Sequence, residues 1–89
     1  MALYFLSYDL RGNRDYEKLY DELEKFNAVR MLESNWCFKR INTTAKSLRD
    51  YFKKFIDSDD GLVVSEVATS NGINQWGTYG SKESPNDLK

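Results

Sequence analysis

Two stripes of apolar side chains at helical spacing limit how this chain can fold. Tyr16, Leu19, Tyr20, Leu23 and Phe26 define the first, and Ala45, Leu48, Tyr51, Phe52, Phe55 and Ile56 the second. Each recurs every three to four residues, so each predicts an amphipathic helix with one buried face. The opposite face of the first carries Glu17, Lys18, Asp21, Glu22 and Lys25, with Asp21 and Lys25 at the supportive i, i+4 spacing. Asn13 or Asp15 is expected to cap this helix, and Asn42-Thr43-Thr44 to open the second. Lys53 and Lys54 suit the negative end of the second helix dipole.

Strand-like runs lie between the helices. Ala2 to Leu10 is apolar and β-prone, and Arg11-Gly12-Asn13 turns it. Ala28 to Ile41 is roughly 14 residues long, against a usual strand of about 5–6. It either bends at a bulge near Ser34-Asn35 or is two strands joined there by a tight turn. Asp57 to Gly61 is an acidic turn, and Leu62 to Thr69 is a strand. Asn71-Gly72 breaks that strand, and Ile73 to Tyr79 reads as a short extra one. Residues 2–80 form a single domain, and the polar stretch 81–89 is expected as a loose tail. The order β-α-β(β)-α-β predicts an α+β, ferredoxin-like split βαβ sandwich, an antiparallel sheet with two helices on one face.

The strands are apolar on both faces. Leu3 and Phe5 oppose Tyr4, Leu6, Tyr8 and Leu10; Val29, Met31 and Cys37 oppose Leu32, Trp36 and Phe38; Leu62 and Val64 oppose Val63 and Val67. A half-solvated sheet should alternate apolar and polar residues. Something must therefore cover the second face. The expectation is a homodimer packed through its sheets; the alternative is cover by the C-terminal segment carrying Trp76 and Tyr79.

Composition narrows the chemistry. The 89 residues contain no histidine and one cysteine, Cys37. Histidine acid–base catalysis, serine triads, histidine metal sites and a structural zinc site are thereby excluded. Cys37 reads as a small core residue, and a lone cysteine fits a reducing compartment. No apolar run reaches the roughly 20 residues of a membrane span, and the first residues lack a basic signal-peptide region. The expected location is cytoplasmic, with no membrane partner. A net charge of −1 does not advertise nucleic-acid binding, although local basic patches decide that question.

The residues "YDL" closing the first strand, the helix after a polar loop, "VRMLESNWCFKR", a second helix, "DSDDG" and "LVVSEV" together resemble a known family. It is the CRISPR-associated adaptation subunit called the Cas-two endoribonuclease, with its relatives outside CRISPR, including the virulence-associated protein D toxins. The resemblance covers about residues 2 to 69. It implies a ferredoxin-like homodimer whose members either cut RNA or DNA with a divalent metal, Mg²⁺ or Mn²⁺, or hold DNA without cutting it. It makes Asp9 the metal-site and catalytic residue, contributed by both subunits, with Ser34 and Trp36 at the matching positions beside it. Asn35 stands where the family usually has an aliphatic residue, and Glu33 where it more often has an uncharged or basic one.

Read as chemistry, two facing Asp9 carboxylates would repel unless a cation sat between them, and such a cation could activate water against a phosphodiester. Alternatively, Asp9 accepts from backbone N–H groups of the Arg11–Asn13 turn. Arg11 and Arg14 could hold phosphate through guanidinium forks. Lys39 and Arg40, with Lys46, Arg49 and Lys53 along one face of the second helix, offer a phosphate track or simply a solvated exterior. Asp57, Asp59 and Asp60 fail the calcium-loop spacing. The alternative to a nucleic-acid function is a non-catalytic module that binds another protein, such as a toxin–antitoxin component or an inhibitor.

Overall fold

A computed structural model describes residues 2–11, 16–68 and 76–88. Four strands and two helices follow in the order β1 (Ala2–Asp9), α1 (Tyr16–Lys25), β2 (Val29–Leu32), β3 (Asn35–Arg40), α2 (Ala45–Phe52) and β4 (Gly61–Val67). The sheet is antiparallel in the order β2-β3-β1-β4, which is compatible with a ferredoxin-like arrangement. The expected caps Asn13 and Asp15 lie outside the described residues. Asn27, with φ 55°, takes the left-handed conformation that ends α1. Thr44 caps α2 by accepting from the Ser47 N–H at 3.1 Å. The second helix is shorter than expected: Lys53–Phe55 tighten into a 3-10 turn.

The long run from Ala28 to Ile41 resolves into two strands with a tight turn at Glu33-Ser34. The pairing also slips within β2. Arg30 faces Trp36, yet Leu32 faces Asn35, so Met31 is an extra residue between them. That slip turns Leu32 outward, 52% exposed, where sequence alternation had set it beside Trp36 and Phe38.

One sheet face carries both helices. Tyr4, Leu6, Tyr8, Trp36 and Phe38 pack with Leu19 and Leu23 of α1 and Leu48 and Phe52 of α2. Leu6, Leu19, Leu23, Phe38 and Phe52 are fully buried. Each such side chain contributes about 1.5–3 kcal/mol relative to exposure. Glu22 is buried at the seam between the helices, where it accepts from the Tyr51 hydroxyl and from Lys25 Nζ at 2.9 Å.

The second face bears a smaller cluster of Leu3, Met31 and Cys37, with Phe5, Val29, Val67, Trp76 and Leu88 against it. Cover therefore comes in part from the C-terminal segment. The Lys82 N–H donates to the Met31 carbonyl at 3.3 Å, and Pro85 is buried at the start of a one-turn 3-10 helix, Pro85–Asp87. Ser84 and Asp87 cap that turn reciprocally. The stretch expected as a loose tail thus has defined contacts as far as Leu88. Trp76 shares in the cover, whereas Tyr79 is 99% exposed. Residues 76–79 form no strand, and 73–75, the start of the expected extra strand, lie outside the described residues. Toward β4 the face stays open, with Val63 61% exposed.

Candidate functional site

Asp9 ends the central strand β1, where it pairs in register with Gly61 of β4. An aspartate is tolerated there because its side chain is 70% exposed rather than set into the core. Arg11 Nε donates to Asp9 Oδ2 at 2.9 Å. Both groups face water, so the pair stabilises by no more than about 1 kcal/mol and leaves Asp9 open to exchange. The alternative reading, Asp9 accepting from the Arg11–Asn13 turn, does not hold at Arg11, and Gly12 and Asn13 lie outside the described residues. The Arg11 N–H donates to Asp60 Oδ1 instead, at 2.6 Å. Asp60 also closes the acidic turn by accepting from the Asp57 N–H at 2.8 Å. A Cβ on Gly61 would stand 3.1 Å from the Arg11 guanidinium, so glycine leaves space for Arg11 to lie across the strand start.

Ser34 reaches this end of the sheet through the β2–β3 turn. Ser7 pairs with Asn35, and the Tyr8 N–H donates to the Ser34 carbonyl at 3.1 Å. A ring of hydrogen bonds fixes the turn. The Tyr8 hydroxyl donates to the Glu33 carbonyl at 2.9 Å and accepts from Trp36 Nε1 at 3.3 Å. Tyr20 Oη lies 3.0 Å from Tyr8 Oη and accepts from an Arg30 guanidinium nitrogen at 3.0 Å. Burial, then the hydrogen bond to Tyr20, pushes the Tyr8 hydroxyl up to about 12. It stays a neutral donor throughout the physiological range.

The result is a cleft of about 340 Å³ lined by Tyr8, Asp9, Leu10, Tyr16, Tyr20, Glu33 and Ser34. It brings together Asp9, Ser34 and Glu33, with Arg11 bonded to Asp9. A second cleft, of about 310 Å³, shares Leu10 and adds Lys18, Lys54, Phe55, Ile56, Asp57 and Asp60. Among the described residues, no group of three or more His, Cys, Asp or Glu side chains stands close enough to hold a metal within one chain.

The other expected basic residues are not part of this cleft. Lys39 pairs with Leu3 and Arg40 with Ala2, at the far end of β1. Asp9 is seven residues from Ala2, roughly 23 Å along a strand. The Arg40 guanidinium lies 3.8 Å from the Phe26 ring centroid, and this stacking occupies it. Arg49 is paired with Asp50 at 2.9 Å; Lys46 stands in the first turn of α2, and Lys53 opens the 3-10 turn that follows it. Arg14 lies outside the described residues. Cys37 is fully buried, and burial pushes its thiol up to about 12, which removes it from nucleophilic chemistry.

Sequence reasoning missed Tyr16 and Tyr20 as cleft walls, and Lys18 and Lys54 as cations lining the second cleft. Tyrosine where phenylalanine would serve was the available signal, because a hydroxyl on a helix stripe favours the wet edge of a core. Compared with known proteins, the chain matches no family model, and no solved structure is significantly similar.

Proposed function

We propose that this chain is a Cas-two-like, ferredoxin-like homodimer acting on RNA or DNA, with Asp9 as a ligand for a divalent cation, Mg²⁺ or Mn²⁺, and as its catalytic residue. The observation that carries the reading is the meeting of Asp9 and Ser34 in one cleft, the pairing that the family resemblance implies. The carboxylate is exposed and only loosely held by Arg11, so a cation can claim it. One chain lacks a complete ligand set among the described residues, which is why the proposal includes a second copy supplying its own Asp9. Val63, exposed on the open part of the second sheet face, gives that copy an apolar place to pack. Arg11 would neutralise phosphate beside the cation.

A non-catalytic protein-binding role is the second reading. It is favoured by that same lack of a ligand set and by an acidic balance, with a sequence pI of about 5.4. One assay separates them: labelled single-stranded RNA and duplex DNA with Mg²⁺, Mn²⁺ or EDTA, wild type beside Asp9→Asn. The first reading expects metal-dependent cutting that Asp9→Asn abolishes. Substrates left intact and unbound by both proteins would sink it and favour the second.

A further inference from the structure

The metal reading uses none of the aromatic walls of the Asp9 cleft. Three rings are layered from the core out to it, and the outer two, Tyr20 and Tyr16, line it. Trp36 and Tyr20 have centroids 5.6 Å apart at 35°, and Tyr20 and Tyr16 5.7 Å apart at 22°. Among the described residues the column ends at Tyr16, which lines the cleft. The hydroxyls of Tyr8 and Tyr20 are engaged with each other, with Arg30 and with the Glu33 carbonyl, so these rings offer the cleft surface rather than donors. Asp9 is paired with Arg11 in a contact exposed to water. The Glu33 carboxylate has no hydrogen-bond or ionic partner among the described residues, although two side chains, Tyr8 and Arg30, fix its backbone carbonyl. A flat aromatic wall thus stands beside an unpaired acceptor on an anchored turn.

We infer that this cleft is a subsite for one unpaired nucleobase, and that it takes guanine in preference to the others. The inference rests on the nucleic-acid reading above. Aromatic surface stacks any base pulled out of a helix. The discrimination comes from the carboxylate, which only accepts. Guanine alone presents two adjacent N–H donors on its Watson–Crick edge, N1–H and N2–H. Adenine and cytosine set an acceptor beside their donor, and uracil sets one donor between two acceptors. A carboxylate facing an acceptor is repelled. The volume, about 340 Å³, falls in the range of roughly 300–1,000 Å³ typical of small-ligand sites. Leu10 lines both clefts, so a base held on one side would leave its flanking phosphates near Arg11 and near Lys18 and Lys54 on the other.

The test is fluorescence anisotropy with labelled oligouridine nine-mers carrying a central G, A, C or U, at low salt in EDTA so that binding is read without cleavage. Wild type is expected to bind the G-containing strand about tenfold tighter than the other three, as one bidentate contact predicts. Glu33→Gln should remove that preference, so that the four strands bind the variant alike. Tyr16→Leu, which keeps an apolar side chain on the helix stripe, should weaken all four strands together. Equal binding of all four strands by wild type would overturn the guanine subsite while leaving the nucleic-acid reading intact. Binding of none, in EDTA and again with Mg²⁺ or Mn²⁺, would overturn both.

Discussion

Replacing Tyr8 by Phe tests the hydrogen-bond ring that places the β2–β3 turn. The ring of Phe fits the same space, so no cavity forms, and the change isolates one hydroxyl. That hydroxyl is 3.3 Å from Trp36 Nε1, 3.0 Å from Tyr20 Oη and 2.9 Å from the Glu33 carbonyl. Tyr20 is half-exposed and can turn to water, and the Glu33 carbonyl still accepts from Arg30. Trp36 cannot recover so easily: its residue is 6% exposed, and its indole N–H would be left buried without an acceptor. An orphaned buried donor costs about 1–3 kcal/mol, so the expected loss is about 2 kcal/mol. For a domain this small each kcal/mol is worth about 4–8 °C, which predicts a melting point lower by roughly 8–16 °C. Urea unfolding followed by tryptophan fluorescence reads the change, with a lower midpoint and an unaltered slope. The pH dependence adds a second readout. The folded hydroxyl sits at about 12, above its ordinary value of 10.0. A raised folded value means that its contribution is complete below pH 10 and fades as pH climbs toward 12. The gap between wild type and Tyr8→Phe should therefore narrow across that window. A Tyr8→Phe protein within about 0.5 kcal/mol of wild type at pH 7 would refute the argument, because it would mean that the indole N–H has another partner.

Two further perturbations follow from the same packing. The Tyr51 hydroxyl bond, then Lys25, holds the Glu22 carboxyl below its ordinary value, so Glu22 stabilises the fold above about pH 4.5 and loses that effect as pH falls through its lowered folded value; Glu22→Gln should melt lower than wild type at pH 7, and the two should converge in acid. Trp76→Ala should uncover the Leu3–Met31–Cys37 cluster, so that Cys37, inert toward a thiol reagent in native wild type, reacts at least severalfold faster; an unchanged rate would show that Trp76 is not the cover.

The helix stripes were legible because period alone separates buried from solvated faces, and Leu19, Leu23, Leu48 and Phe52 are buried as that spacing requires. The Ala28–Ile41 run was legible only to a choice between a bulge and a turn. The structure contains the turn and a register slip as well, and no local pattern announces the slip that exposes Leu32. At the candidate site, Asp9 and Ser34 line one cleft, whereas Lys39 and Arg40 lie away from it. They follow Ser34 closely in sequence, but an antiparallel partner runs back along β1, and each residue carries them roughly 3.3 Å farther from Asp9. The C-terminal cover was legible only as an alternative, through Trp76, and the part played by residues 85–88 was hidden by composition. Its grip depends on Trp76, Pro85 and Leu88, three apolar residues with no period in a polar stretch.

That cover bears on how a second copy could pack. A dimer through the whole second face would need the space already taken by Trp76 and Leu88 against Leu3, Met31 and Cys37. The part left open lies toward β4, around Val63, on the strand that pairs directly with β1 as far as Asp9. Packing there leaves the C-terminal segment in place and keeps the contact on the half of the sheet whose edge strand starts beside Asp9, at Gly61. Packing over the β2 side would instead displace that segment from Leu3, Met31 and Cys37. The two arrangements differ in a measurable way: dimerisation through the β4 half is broken by a charge at Val63, whereas dimerisation over β2 ignores Val63→Lys and is weakened by substitutions at Leu3 or Met31. The open apolar surface favours the first, because it uses area that is still exposed and removes no existing contact.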